Sequence, residues 1–336
     1  MNRIELQTPG WDHDLVPTHA DAPEPEPGQV RVQLQAAGVC HRDLIDRAGR
    51  IPFLSPPVVP GHEGAGIVDA VGEGVADWAV GDRVASMHRD ACGRCGACLR
   101  GETSTCMLAA HVFGLTADGT YAAWVVAPQS AFYAVPMQLP DGLAAVLHCT
   151  FGTAWRSLVT VGGLQEGERV LITGANGGVG MAAVQIAARL AKRVVAVVRS
   201  PGHEERLLAL GATDVLVSPD NRFHKEAPDV DLALDTVGAP TFNAALRSLR
   251  VGGRISVVGN VTDERAQLNL GLIITMGLRI LGPGGATRTD MAALLAEHAR
   301  APFASIVQQE LPLAQADAAQ RALLAGGTWG RTVLTP

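Results

Sequence analysis

The sequence predicts an α/β protein in which a doubly wound parallel sheet accompanies a second, β-rich domain. Three features predict it. The first 150 residues read as short strands broken by glycine and proline turns. From about Phe151, apolar strand-like runs alternate with helical periods. One of those runs, Val170–Ile172, passes through glycines straight into a helical segment. A chain of 336 residues also exceeds one ordinary core and has room for two domains.

In chain order, the prolines of Asp21–Gly28 mark a loop, since they cannot feed a ladder. Gln29–Ala36 alternates polar and apolar residues, as a half-buried strand does. Gly64–Val71 and Gly81–Met87 read as further short strands. In the second half the expected strands are Arg169–Thr173, Arg193–Val198, Asp214–Val217, Asp231–Thr236 and Arg254–Val258. The expected helices between them are Gly180–Ala191, His203–Leu210 and Thr241–Leu249. This βα alternation implies the doubly wound sheet. Leu278–Gly285 is either the last strand or an edge strand pairing across subunits. The tail from about Thr287 carries one expected helix, Asp290–Ala299, and a last strand, Thr332–Leu334.

Composition narrows the function. Hydrophobic residues make up 47% and charged residues 18%, which describes a globular protein and not a disordered one. A net charge of −6 with 4% aromatics offers neither the basic footprint nor the stacking surface of a nucleic-acid binder. No apolar run has the length of a membrane span. Met1–Gly10 lacks an apolar signal core, so a cytoplasmic location is expected. The expected partner is a small-molecule substrate.

Four of the six cysteines fall within fifteen residues. Cys92, Cys95, Cys98 and Cys106 can supply four thiolates from one short lobe, which saturates a tetrahedral zinc and leaves no position for water. Such a centre is structural. Disulfides or free thiols are the alternative, disfavoured in a reducing compartment. The remaining Cys40 and Cys149, with His62, make a two-cysteine, one-histidine set. Three protein ligands leave a fourth position open for water or substrate, the pattern of a catalytic zinc, for which alcohol dehydrogenase is the standard example. Scattered Cys and His residues are also commonly plain core residues, so spacing leaves both readings open.

The run Val170–Gly180 places Gly174, Asn176, Gly177, Gly178, Val179 and Gly180 between a strand and a helix. Amides at such a helix start can hold a pyrophosphate, and glycines allow the close approach. The spacing has one residue more than G-x-G-x-x-G. An Asn-Gly hairpin is the alternative, but a long Ala-rich segment follows instead of a partner strand. The next strand ends in Arg199-Ser200 with no acid to hold a ribose diol. Arg199 can pair with a 2′-phosphate, which favours NADP(H) over NAD(H). A solvated surface arginine is the plainer account.

Three segments decide between these readings. Gly38-Val39-Cys40-His41-Arg42-Asp43, then Gly61-His62-Glu63-Gly64-Ala65-Gly66, then the four-cysteine lobe occur in an order that resembles the zinc-containing medium-chain dehydrogenase/reductase (alcohol dehydrogenase) family, over essentially the whole chain. The resemblance implies a Rossmann domain beside a GroES-like catalytic domain and two zinc ions per chain. It implies that Cys40, His62 and Cys149 bind the catalytic zinc and that Cys92, Cys95, Cys98 and Cys106 bind the structural one. Glu63 then stands beside the catalytic metal as a transient ligand. Asp43 orients the histidine ligand, as metal-bound imidazoles require. His148 and Thr153, in the segment around Cys149, join the expected site. Thr236, Val237, Gly259 and Asn260 line the nicotinamide side, and Arg331 matches an arginine near the pyrophosphate or is a charged strand end. The implied organisation is a catalytic domain over 1–150, an NADP(H)-binding domain over 151–286, and a return to the catalytic domain over 287–336. The active site is expected in the cleft between them, and the assembly as a homodimer or homotetramer.

The chain departs from the family at the proton relay. Where many members carry the Ser or Thr that starts a proton relay, this sequence has Arg42, which stays protonated. His41 and His148 flank zinc ligands and can exchange protons near neutral pH. Alternatively, His41 meets cofactor phosphate and His148 is core. Arg42, the Gly174–Gly180 turn and the segments 235–242 and 259–261 resemble the acryloyl-coenzyme A reductase-like branch. Two reactions therefore stand, alcohol/carbonyl interconversion and reduction of an activated C=C. A non-catalytic zinc-stabilised NADP(H)-binding protein is a third reading. Ile51, Pro52 and Phe53 are one expected pocket wall. His88 and Arg89, where the family has an aromatic wall, suggest a substrate with an acceptor group such as carboxylate or phosphate, with exposed loop charges as the simpler account.

Overall fold

The computed structural model describes residues 2–262 and 264–336. It divides into two compact units, Met1–Cys149 with Val307–Pro336, and Thr150–Ile306.

The first unit is built on a seven-stranded sheet. Its long strand, Gln29–Val39, buries Val30, Val32 and Leu34 on one face while Arg31 and Gln33 alternate away, as period-two patterning requires. Gly64–Val71 pairs antiparallel with it, and Arg83–Ser86 follows. On the other side lies Arg331–Thr335, with Thr332 opposite Val39. One core packs Val30, Val32 and Leu34 with Val68, Val84, Phe113 and Phe132.

The second unit holds a six-stranded, all-parallel sheet. Its order is Asp214–Val217, Arg193–Val198, Arg169–Ile172, Val230–Asp235, Leu249–Val257, Arg279–Leu281. Numbered within the sheet this is 3-2-1-4-5-6, the doubly wound dinucleotide-binding order. Both faces are covered, so Val194, Val195, Ala196, Val197 and Val198 are all buried, the continuous apolar run a parallel strand needs. Arg279–Leu281 is the edge.

The tail differs from expectation in two respects. Residues 287–306 lie with the second unit, not with the C-terminal return expected from 287. Side chains hold them there: Arg156 Nη1 meets Asp290 Oδ2 at 3.0 Å, Thr160 donates to Asp290 Oδ1 at 2.6 Å, and Arg189 meets Glu297 at 2.7 Å. The tail also has a second helix, Ala316–Ala325, whose Ala316, Ala319 and Gln320 are buried.

Candidate active site and metal centres

The first site is assembled at one end of the long strand. Gln29–Val39 leads into the helix His41–Arg47, and Cys40 is the helix N-cap. His62 and Glu63 immediately precede Gly64–Val71, which pairs with the same strand so that Gly64 faces Ala37. That register brings Glu63 against Gly38, where a Cβ would lie 2.0 Å from Glu63 Oε2. Only glycine fits there. Cys149 comes from a π-helical turn, His148–Gly152, a form often found where a helix must present a functional side chain.

These elements bring one ligand atom each from Cys40, His62, Glu63 and Cys149 within 4.8 Å of one another. Cys40 Sγ and Cys149 Sγ are 3.8 Å apart, and Cys149 Sγ lies 3.6 Å from His62 Nε2. Zinc–sulfur bonds of about 2.3 Å and a zinc–nitrogen bond of about 2.0 Å at tetrahedral angles imply separations of about 3.8 and 3.5 Å, within about 0.1 Å of those found. The donor set therefore fits a zinc ion. All six cysteines are free thiols, so the disulfide alternative falls away. The imidazole is oriented for ligation, since Nδ1 faces Asp43 Oδ1 at 2.9 Å and leaves the Nε2 lone pair toward the sulfurs. Asp43 is itself held, because Oδ2 accepts from the Cys40 amide and from the Tyr121 hydroxyl, both at 2.9 Å.

Arg331, which the family resemblance places near the cofactor pyrophosphate, has its Nη2 3.2 Å from Glu63 Oε1 and 3.4 Å from Cys40 Sγ. The cause is strand pairing, which lays Arg331–Thr335 beside Gln29–Val39. Burial raises the Glu63 carboxyl to about 7, against the pull of Arg331. The guanidinium offsets charge that the two thiols and Glu63 would otherwise concentrate in a buried space.

The flanking residues separate by position. His41 is exposed. His148 is buried, with its ring 4.5 Å from His88. Arg42 is tied down, with Nε 3.0 Å from Asp46 Oδ2 and Nη2 donating to the Phe113 carbonyl at 2.7 Å. Thr153 is buried and belongs to the second unit. His88 and Arg89 are half-buried, unlike exposed loop charges. Phe53 is 51% exposed. Tyr121 and Ser86, whose hydroxyl donates to the His62 carbonyl, escaped sequence reasoning, because nothing local marks either residue.

The second cluster is compact and local. Ligand atoms of Cys92, Cys95, Cys98 and Cys106 lie within 4.8 Å. The Cys92–Cys98 and Cys95–Cys106 sulfurs are 3.9 and 3.8 Å apart, again the edges of a zinc tetrahedron. The amides of Cys95 and Cys92 donate to the sulfurs of Cys92 and Cys106.

In the second unit, Gly177 is the N-cap of the helix Gly178–Ala187. The residue extra to the usual spacing is absorbed in a turn in which the Gly177 amide bonds the Gly174 carbonyl at 2.9 Å. A Cβ at Gly180 would sit 2.3 Å from the Gly174 carbonyl oxygen, so the helix can start this close to the strand only with glycine. Asn176 and Val179 are both half-buried at this turn, and Asn176 Nδ2 lies 3.5 Å from His203 Nε2. Arg199 and Ser200, at the end of the neighbouring strand, are exposed. Thr236 and Val237 abut Gly259, and Val261 donates to the Val237 carbonyl; Asn260 is exposed. A groove of about 470 Å³ lined by Gly167, Arg169, Lys192, Arg193, Thr213 and Asp214 contains none of these residues. Among the described residues, no helix is long and apolar enough to cross a membrane.

Comparisons with known proteins agree with this geometry. Residues 26–137 match the alcohol dehydrogenase GroES-like domain, and residues 178–300 match the zinc-binding dehydrogenase domain. The chain is 35% identical to an acryloyl-coenzyme A reductase of Metallosphaera sedula, over 93% of this chain and 94% of that protein. The crystal structure of AibC superposes with a TM-score of 0.93 at 38% identity, covering 100% of this chain and 96% of that one. A cobalt- and zinc-bound thermostable alcohol dehydrogenase from Pyrobaculum aerophilum gives 0.92 at 30% identity, covering 100% and 99%. The chain is an oxidoreductase that belongs to the zinc-containing medium-chain dehydrogenase/reductase family.

Proposed function

We propose that this protein transfers hydride between NADP(H) and an alcohol or carbonyl substrate at a zinc held by Cys40, His62 and Cys149. The observation that carries the reading is the buried three-ligand set, with Glu63 as the fourth neighbour and Asp43 behind the histidine. When bound, a zinc with an open position supplies Lewis acidity toward a carbonyl oxygen. The protein's own residues do the rest. Asp43 fixes the His62 tautomer, and Arg331 balances Glu63 and the thiolates. Arg42, engaged with Asp46 and Phe113, does not carry the proton. Exchange with solvent falls to the exposed His41, because His148 is packed against His88. The four-cysteine lobe holds a second, structural zinc.

The cofactor half of the proposal rests on the Gly174–Gly180 turn with Gly177 and Gly178 at the helix start, on Thr236, Val237, Gly259 and Asn260 beside it, and on Arg199 with Ser200 for a 2′-phosphate. The assembly proposed is a homodimer or homotetramer. Reduction of an activated C=C in an acryloyl- or enoyl-type thioester is the second reading. It is favoured by Arg42 at the relay position and by the similarity to acryloyl-coenzyme A reductase.

The test is NADPH consumption by zinc-replete protein against aldehydes and ketones in one panel and acryloyl- and crotonyl-type thioesters in another. Turnover of carbonyls that is lost in Cys40→Ser supports the first reading. Turnover confined to thioesters replaces it with the second.

A further inference from the structure

Asp235 ends the strand Val230–Asp235 with its side chain wholly buried. One carboxylate oxygen carries the contacts. Oδ1 accepts from the hydroxyls of Thr173 at 2.7 Å and Thr241 at 2.6 Å, and the amides of Val237 and Gly238 approach it at 3.3 and 3.4 Å. Oδ2 has no hydrogen-bond partner. The backbone carbonyl of the same residue accepts the amides of Val258 and Gly259, both at 3.0 Å. Burying a carboxyl costs free energy unless donors meet it, and these donors come from particular places. Thr173 immediately precedes Gly174. Val237 and Gly259 are themselves proposed cofactor residues. Thr241 lies in the first turn of the helix Ala239–Ser248.

The ties converge on a junction of three strand ends. The Thr236 amide donates to the Thr173 hydroxyl oxygen at 3.1 Å, and the Thr236 hydroxyl donates to the Thr173 carbonyl at 2.8 Å. The backbones there are too close for side chains between them. A Cβ at Gly174 would lie 2.5 Å from Thr236 Oγ1, and one at Gly259 would lie 2.1 Å from the Val237 nitrogen. The strand pairing itself stops at Leu234 opposite Ile172 and at Asp235 opposite Val257. Asp235 carries the alignment past that point, with its side chain tied to Thr173 and its carbonyl to Gly259.

We infer that Asp235 is a positioning residue for the cofactor, fixing the spacing between the Gly174–Gly180 turn and the Thr236, Val237 and Gly259 wall. The inference rests on the proposed cofactor site and adds to it a residue that acts from beneath. A dinucleotide spans both parts, the pyrophosphate at the turn and the nicotinamide at the wall. It gains from the second part only when the two are held in register beforehand.

The test compares ligands that differ by the nicotinamide ring, NADPH with 2′-phospho-ADP-ribose and NADH with ADP-ribose, titrated calorimetrically into the zinc-loaded protein. In the wild type, the dinucleotide of at least one pair should bind more tightly than its fragment. Asp235→Ala should shrink that advantage about tenfold and leave the fragment's affinity within about twofold. Asp235→Asn keeps an oxygen at Oδ1 and alters only the unpartnered Oδ2, so it should restore most of the advantage. Thr173→Val cuts the ties of Asp235 and Thr236 to the glycine-turn strand and should shrink the advantage about threefold, the worth of one hydrogen bond. It reads the same split if Asp235→Ala does not fold. Dinucleotide and fragment weakening by one common factor overturns the inference, because Asp235 then supports only the fold. An advantage unchanged in the variants, or absent from the wild type, overturns it as well. Wild-type protein that binds none of the four ligands overturns the cofactor reading and the inference with it, whereas normal wild-type binding with unchanged ratios in the variants overturns the inference alone.

Discussion

Asp43 holds His62 through a 2.9 Å contact between Oδ1 and Nδ1, with both side chains fully shielded from solvent. The carboxylate is aligned by two further donors, the Cys40 amide and Tyr121. One acid thus orients the imidazole of one candidate ligand, His62, and caps the helix that carries another, Cys40. Asp43→Asn should lower zinc affinity at this centre about 10–100-fold and leave the four-cysteine zinc in place. Chelator competition with zinc counting checks this. Loss of neither zinc, or of both alike, would contradict the assigned role.

Arg331 and Glu63 form a buried pair at the same centre. Arg331→Met removes one partner and leaves the acid uncompensated, at a cost of about 3–5 kcal/mol. Adding Glu63→Gln should restore part of that loss, since no buried charge is then stranded. Urea unfolding of the zinc-loaded proteins compares them. If the double variant is no more stable than the single, the pair is not coupled.

Asp290 provides a pH test away from any metal. Burial pushes its carboxyl up, but Thr160, Thr287 and Arg156 outweigh burial and hold it below the ordinary carboxylate value. A depressed folded-state pKa contributes stability that is complete above the unfolded value of about 3.9 and is lost as pH falls through the folded value. Asp290→Asn should therefore melt well below the wild type at pH 7, and the gap should narrow below about pH 4. Parallel melting-temperature curves down to pH 3 would refute this.

The NADP(H) proposal turns on Arg199. Arg199→Glu should shift the NADPH/NADH preference toward NADH by about tenfold or more, by replacing a phosphate partner with a like charge. Cofactor titration followed by tryptophan fluorescence reads the ratio. An unchanged ratio would make Arg199 a solvated surface charge.

Gly180→Ala examines the glycine turn by sterics alone. Its methyl would meet the Gly174 carbonyl at 2.3 Å and Ala175 Cα at 2.6 Å. Backbone must move, so both the melting temperature and cofactor affinity should fall. A variant with wild-type affinity would mean that the turn tolerates a wider start.

Local chemistry determined a good deal of this protein from sequence alone. Period-two alternation placed Gln29–Ala36, glycine turns marked off Gly64–Val71, continuous apolar runs placed the parallel strands, and Cys92, Cys95, Cys98 and Cys106 are close in space because they are close in the chain. The Gly174–Gly180 turn was legible because strand, glycines and helix are consecutive. Cys40, His62 and Cys149 were candidates by residue type, but only the resemblance chose between a metal site and plain core residues, since residues 109 positions apart carry no local signal of contact. Tertiary structure decided what depends on register and packing. Strand pairing carried Arg331 to Glu63. Salt bridges to Asp290 and Glu297 drew residues 287–306 into the second unit. Ring packing set His88 between His62 and His148. Such contacts arise from long-range pairing, whose energetics a one-dimensional pattern does not encode.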